Sequence, residues 1–207
     1  SVNIKSILLH IKPLFILYIA IMASHLMQVI DKTMLGNMVN MSSLGCYEYA
    51  DKIMKIPLAF IGAVGTVMLS SVSKLYSCGE KDKAVNSIYS TVKYIFVFCS
   101  LFVFGFISYW EEFSVIFLGD EFELTGKLVT IFSIGLIFSA VNDVLRTQYF
   151  IPNKKDKYYV IAISVGAIVN IILNVFLIDL YGAYGATIAT VISYGVITII
   201  ELVYVRK

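Results

Sequence analysis

Six predominantly apolar stretches, separated by short polar segments, decide what this chain can fold into. A helix needs about 20 such residues to cross a bilayer. In hydrocarbon every backbone N–H and C=O must be satisfied within the structure, so runs of this length are helical. The stretches cover residues 13–30, 56–72, 94–109, 128–149, 158–178 and 183–204. They predict an all-α polytopic membrane protein, a six-helix transmembrane bundle with residues 1–207 as a single lobe. Composition leaves no room for a soluble domain. Hydrophobic residues make up 59% of the chain and charged residues 14%, whereas charged residues are about a quarter of a soluble domain.

Six spans bring the chain back to the side on which it started, and Lys and Arg decide which side that is. Short cytoplasmic loops carry the excess of positive charge. Twelve of the sixteen Lys and Arg fall on one side: Lys5 and Lys12 before the first span, Lys74, Lys81, Lys83 and Lys93 after the second, Arg146, Lys154, Lys155 and Lys157 after the fourth, and Arg206 and Lys207 at the end. Lys32, Lys52, Lys55 and Lys127 fall on the other, together with the acidic residues Glu111, Glu112, Asp120, Glu121 and Glu123. Both termini are therefore expected in the cytoplasm. On this topology Cys46 lies in an outer loop, Cys78 in an inner loop and Cys99 in a span, so neither a disulfide framework nor a metal site is expected. The chain opens on Ser1, and no basic-then-apolar segment with a small-residue cleavage site precedes the first span. The expectation is a piece of a longer protein with no cleavable signal.

The first span carries a polar stripe. At 100° per residue, Asp31, Ser24, Gln28, Lys32, His25 and Tyr18 gather within an arc of about 140°, opposite Met22, Ala23, Leu26, Met27, Val29 and Ile30. An ionisable group in hydrocarbon costs about 2.5 to 3.5 kcal/mol on insertion scales. A helix surrounded by lipid has no reason to gather such groups, so the stripe is expected to face protein or water. For Asp31 and Lys32 a second reading stands beside this one, in which they only mark the end of the span. His25 is either a histidine satisfied between helices or one that titrates in function.

Further along, Glu48 with Lys52 and Asp51 with Lys55 are carboxylate-before-lysine pairs at i, i+4 and predict helix in the first outer loop. Pro57 predicts a kink buried in a bundle, because the backbone groups a proline frees in lipid must find partners. Gly62, Gly65 and Thr66 offer close approach to another helix. Residues 80–93 read as an amphipathic extension of the third helix, and 113–118, too short to span, as an interfacial segment. Asp143 and Arg146, three apart near the inner end of the fourth span, can pair. Arg146 is then either a snorkelling arginine with a nearby acid or an anion contact at the inner mouth of a cavity. Asn170 and Asn174 share a face of the fifth span and predict interhelical hydrogen bonds. Gly182, Gly185, Ala186, Ala189, Thr190 and Ser193 form a strip of small residues along the sixth.

No phosphate-binding G-x-x-x-x-G-K-[ST] loop, zinc-type His/Cys spacing or G-x-S-x-G elbow occurs. ATP hydrolysis, metal catalysis and a serine nucleophile therefore have no support. No cofactor, metal or nucleic-acid partner is expected, and transport is the default reading for a polytopic protein with a polar intramembrane face.

An ordered set of motifs carries a resemblance over about residues 10–205. DKTMLG at 31–36, GCYEYADKIMKIP at 45–57, GTVML at 65–69, RTQYFIP at 146–152, NIILN at 170–174 and YGAYGA at 181–186 resemble the second half of bacterial polysaccharide flippases of the Wzx type. These are members of the multidrug/oligosaccharidyl-lipid/polysaccharide exporter superfamily. The resemblance implies one lobe of a two-lobe exporter, helices seven to twelve, with the first lobe absent from this chain. An alternating-access cavity needs both lobes, so the missing N-terminal lobe is an expected partner, along with membrane lipids.

What it implies for function is flipping of an undecaprenyl-diphosphate-linked oligosaccharide across the bacterial cytoplasmic membrane for capsule, O-antigen or exopolysaccharide assembly, and not an enzyme. A multidrug/toxin exporter or a lipid II flippase of the same superfamily is the alternative. A membrane polymerase or ligase of lipid-linked sugars is a third reading, against which the short outer loops argue. A flippase must offer its anionic substrate cations and polar partners. Lys32 and Arg146 are the expected cations, and His25, Gln28, Asn170 and Asn174 the expected hydroxyl partners. Asp31 or His25 is the expected site for a coupling ion or proton.

Overall fold

The computed structural model describes the backbone of residues 4–206 and the side chains of residues 18–206 apart from Ala20. The side chains of Lys5, Lys12 and Lys207 in the charge count lie outside the described residues. Among the described residues there are six long helices and no strand: α1 (Ile4–Met38), α2 (Met41–Ser77), α3 (Lys81–Leu118), α4 (Glu123–Leu145), α5 (Asp156–Tyr181) and α6 (Ala183–Val205). By length and composition α2, α3, α5, α6 and the segment Asp120–Phe150 containing α4 can each cross a membrane.

The helices are longer, and the connections on one side shorter, than the apolar runs suggest. The first outer loop contracts to Val39 and Asn40. The Asn40 side chain caps α2 by accepting from the Ser43 N–H at 2.7 Å, as short polar residues do at helix starts. Lys32 thus belongs to α1, and Lys52 and Lys55 to α2. Residues 113–118 are not a separate interfacial segment but the last turns of α3. Aromatic side chains explain the continuity, because neighbours three and four apart on a helix pack on one another. Ring centroids run Phe98–Phe102 at 4.9 Å, Phe102–Phe106 at 5.8 Å, Phe106–Trp110 at 5.1 Å, Trp110–Phe113 at 4.9 Å and Phe113–Phe117 at 5.3 Å. The helix stops at Gly119, whose φ of 101° suits glycine.

The most enclosed helix is α4, which packs against α2, α3 and α6. Gly126 lies so close to α3 that a Cβ there would sit 2.7 Å from the Glu111 Cα. Leu128, Val129, Phe132 and Leu136 of α4 make the core with Tyr47, Ala50 and Ile61 of α2 and Cys99 and Phe106 of α3. The small-residue strip of α6 lies on α5, where a Cβ on Gly185 would collide with the Leu177 carbonyl and one on Gly166 with Ile197. Pro57 is buried inside α2, and Cys46, placed in an outer loop by the sequence, is buried in the same helix. Large apolar side chains such as Val67, Phe104, Ile116, Phe176 and Leu180 point outward, as they do where lipid is the solvent. The chain is a multi-pass membrane protein. Helix α1 packs mainly along α5 and meets α2 only briefly, which leaves a groove between them.

Candidate functional site

The groove has a volume of 330 Å³ and is bounded by all of the helices except α3. His25 and Gln28 of the α1 stripe line one wall, Asp51 and Lys55 of α2 another, and Asn142, Asp143 and Arg146 at the end of α4 a third. Tyr159 of α5 and Tyr194 of α6 complete the polar lining, with Ile21, Leu58, Ile163 and Ile197 between them. Arg146 opens a single turn of π-helix, Arg146–Phe150. Such turns insert a residue into the helical ladder and recur at functional sites.

The charges in the groove are paired, and each cation keeps donors free. Lys32 lies 3.3 Å from Glu48 and 3.6 Å from Asp51, joining α1 to α2. Lys55 lies 2.8 Å from Asp51 and reaches the Gln28 Oε1 at 3.5 Å. Arg146 pairs with Asp143, and its side chain remains 39% exposed. A guanidinium has five N–H donors, and pairs this exposed are worth about 0 to 1 kcal/mol. The groove thus holds two cations, Lys55 and Arg146, with Lys32 beside it.

A second polar centre lies deeper, at Asp31, which is only 2% exposed. Its Oδ2 accepts from the Thr190 hydroxyl at 2.9 Å and from the Tyr47 hydroxyl at 3.1 Å. Its Oδ1 accepts from the Asn174 amide, which also donates to the Asn170 Oδ1 at 3.2 Å. Both asparagines are fully buried. Asp31 and Asn174 lie seven residues from the ends of α1 and α5, and Thr190 seven from the start of α6. The centre is thus about 10 Å in from that end of the bundle at 1.5 Å per residue. A pocket of 20 Å³ lined by Gln28, Asp31, Lys32, Tyr47, Asp51 and Thr190 lies beside it. Every group that donates to the carboxylate is neutral, and Asn174 leaves its own Oδ1 unpartnered. This is an oxygen-rich set of the kind hard cations take, although among the described residues no group of three or more His, Cys, Asp or Glu converges on a metal-binding point.

The residues expected at the site divide between these two centres. His25, Gln28 and Arg146 line the groove, and Lys32 sits beside it in an ion-pair network. Asn170 and Asn174 lie in the core, where Asn174 donates to Asp31 and to Asn170. Asp51 and Lys55 were read only as a helix-forming pair outside the bilayer. Their i, i+4 spacing also places both on one face, which was the available signal. Thr190 lay hidden in the strip of small residues, and Tyr47 gave no signal in the sequence. Glu201, a lone acid in the last span, is fully buried and was passed over, although an acid inside a span is itself a signal.

Fold and site together define a six-helix membrane bundle with a charged groove on one side and a buried carboxylate beside it. The lipid II flippase MurJ family matches residues 3–207, and the chain belongs to that family, whose members are flippases. It is 25% identical over 177 residues to the probable low-salt glycan biosynthesis flippase Agl15 of Haloferax volcanii, a match covering 86% of this chain and 37% of that protein. It is 25% identical over 152 residues to the lipid II flippase MurJ of Bacillus subtilis, covering 70% of this chain and 27% of that protein. The solved structure of a lipid II flippase MurJ in an inward closed conformation superposes on the whole chain with a TM-score of 0.83 at 20% identity, over 45% of its own length. The chain thus spans less than half the length of each of these proteins. At the level of a flippase family the sequence resemblance stands, and the family model that matches is MurJ's.

Proposed function

We propose that this chain is the second lobe of a flippase that moves an undecaprenyl-diphosphate-linked oligosaccharide across the bacterial cytoplasmic membrane, with both ends of the lobe in the cytoplasm. The observation that carries the reading is the groove, where Arg146 and Lys55 keep free donors beside His25 and Gln28. A diphosphate and its sugars cannot enter hydrocarbon, and a wetted groove with cations and amides gives them a path while the prenyl tail stays in lipid. The first lobe supplies the opposite wall. Surface-polysaccharide assembly of the Wzx kind is the cargo suggested by the sequence motifs. Lipid II is the second reading, supported by the matching family and by the Bacillus relative.

Asp31 is the ion-coupling residue in this proposal. A buried carboxylate whose hydrogen-bond donors are all neutral has no bonded counter-charge, and isolated buried charges are costly. A sodium-like cation on Asp31 and the Asn174 Oδ1 supplies one. His25, exposed on the groove wall, takes the substrate-facing part instead. In the full-length protein, Lys55→Ala and Arg146→Ala should each lower glycan export severalfold with membrane abundance unchanged. Lys32→Ala should do the same more weakly, because Lys32 lies beside the groove and not in its lining. Export that falls only in step with abundance would make these residues structural.

A further inference from the structure

The groove and the Asp31 centre leave one buried acid unused. Glu201 is completely shielded from solvent, and neither of its carboxyl oxygens accepts a hydrogen bond. Its place follows from its neighbours on α6. One turn earlier, Thr198 donates to the Asn142 Oδ1 at 2.6 Å and fixes this face of α6 on α4. One turn later, the Tyr204 ring packs against Tyr158 with centroids 4.5 Å apart and fixes it on α5. Residues three apart share a helix face, so Glu201 is enclosed between α4 and α5. The ionisable groups whose charges reach it are Arg146 and Asp143 of α4 and Tyr159 of α5.

Two carboxyls therefore share one guanidinium. Arg146 is bonded to Asp143 alone, and the second oxygen of Asp143 is buried without a partner against Gly65, where a Cβ would come within 3.0 Å of it. A carboxylate buried with no donor and no bonded cation carries a desolvation cost that a proton removes. In this arrangement the charge closes if Asp143 and Arg146 are ionised and Glu201 is not.

We propose that Glu201 is a proton-binding site that competes with the groove for Arg146: while it is protonated, Arg146 stays on Asp143 and faces the groove, and when it is ionised, Arg146 turns inward to it. The proton comes from water and returns to water, and no other bond changes. The proposal rests on the reading of Arg146 as an anion contact, and its consequence is that anion binding is linked to proton uptake at a residue that never touches the anion. The site lies at the end of the bundle where α4 and α6 finish, far from Asp31, and provides an ion position separate from it.

Two measurements on the purified full-length protein test this. In infrared difference spectra, E201Q should remove a protonated-carboxyl band. D143N should remove the same band with Glu201 still present, because Arg146, deprived of its partner, turns to Glu201 and ionises it. Loss of a carboxylate band in E201Q, or a protonated band untouched by D143N, would overturn the proposal. If E201Q does not yield folded protein, D143N alone decides. In the second measurement, inorganic pyrophosphate should lose affinity for the wild type relative to E201Q as pH rises, by up to about tenfold per unit as expected for one linked proton. An equal pH dependence in the two proteins would sink the link. The expected infrared pattern with no pyrophosphate binding at any pH would support the proton site and overturn the substrate reading of Arg146.

Discussion

Asp31 shows how much one side chain organises here, since its oxygens collect donors from α2, α5 and α6 while it stands on α1. Asp31→Ala should remove one acceptor each from the Tyr47 and Thr190 hydroxyls and the Asn174 amide, leaving Asn174 with Asn170, Thr190 with the Ala186 carbonyl and Tyr47 with Thr190. Each such loss costs about 1 to 3 kcal/mol, so the variant should melt well below the wild type in detergent. Asp31→Asn separates ion binding from packing. The wild type should melt higher in sodium than in a choline buffer of equal ionic strength, and Asp31→Asn should melt equally in both. A wild type indifferent to sodium would remove Asp31 from the coupling role. The polar stripe was legible because 3.6-residue periodicity gathers Asp31, Gln28, His25 and Lys32 on one face. Its partners were not, because periodicity says which side a residue faces and nothing about which helix stands there. Thr190 is the clearest case, being small enough to pass as packing and placed to bind a carboxylate.

The same limit holds for whole helices. Hydropathy found their number and order, because lipid selects runs of apolar side chains. It misplaced the ends of α1, α2 and α3, because a helix continues past the bilayer until something stops it, here Asn40 and Gly119. The small-residue strip was legible as a packing surface, and the structure separates its glycines by what each one touches. Gly185 abuts the Leu177 carbonyl, which is backbone and cannot turn aside. Gly195 meets only the Phe138 ring, at 3.9 Å. Gly185→Ala should therefore force α5 and α6 apart and lower the yield of folded protein sharply. Gly195→Ala should be tolerated within about 0.5 kcal/mol, as substitutions without steric conflict usually are. Size-exclusion profiles and melting temperatures of the two variants check this, and equal behaviour would contradict the packing described.

For the molecule as a whole, the groove walled by five of the six helices is the face that the proposed second lobe turns towards a first. Orientation is open to a direct check. Cys78 is exposed between α2 and α3, whereas Cys46 and Cys99 are buried, so a thiol reagent should report on Cys78 alone. An impermeant maleimide should leave intact cells unlabelled and modify Cys78 once the membrane is permeabilised, as expected if the side with twelve of the sixteen Lys and Arg is cytoplasmic. Labelling of Cys78 in intact cells would invert the topology. The claim on which the rest depends is that the full-length protein flips a lipid-linked glycan, and the most direct measurement is the sidedness of undecaprenyl-diphosphate-linked sugars in cells depleted of it. These lipids should accumulate in the inner leaflet and return to the outer leaflet when the wild type, but not Arg146→Ala, is restored. Lipid-linked sugars that still reach the outer leaflet in depleted cells would contradict the account.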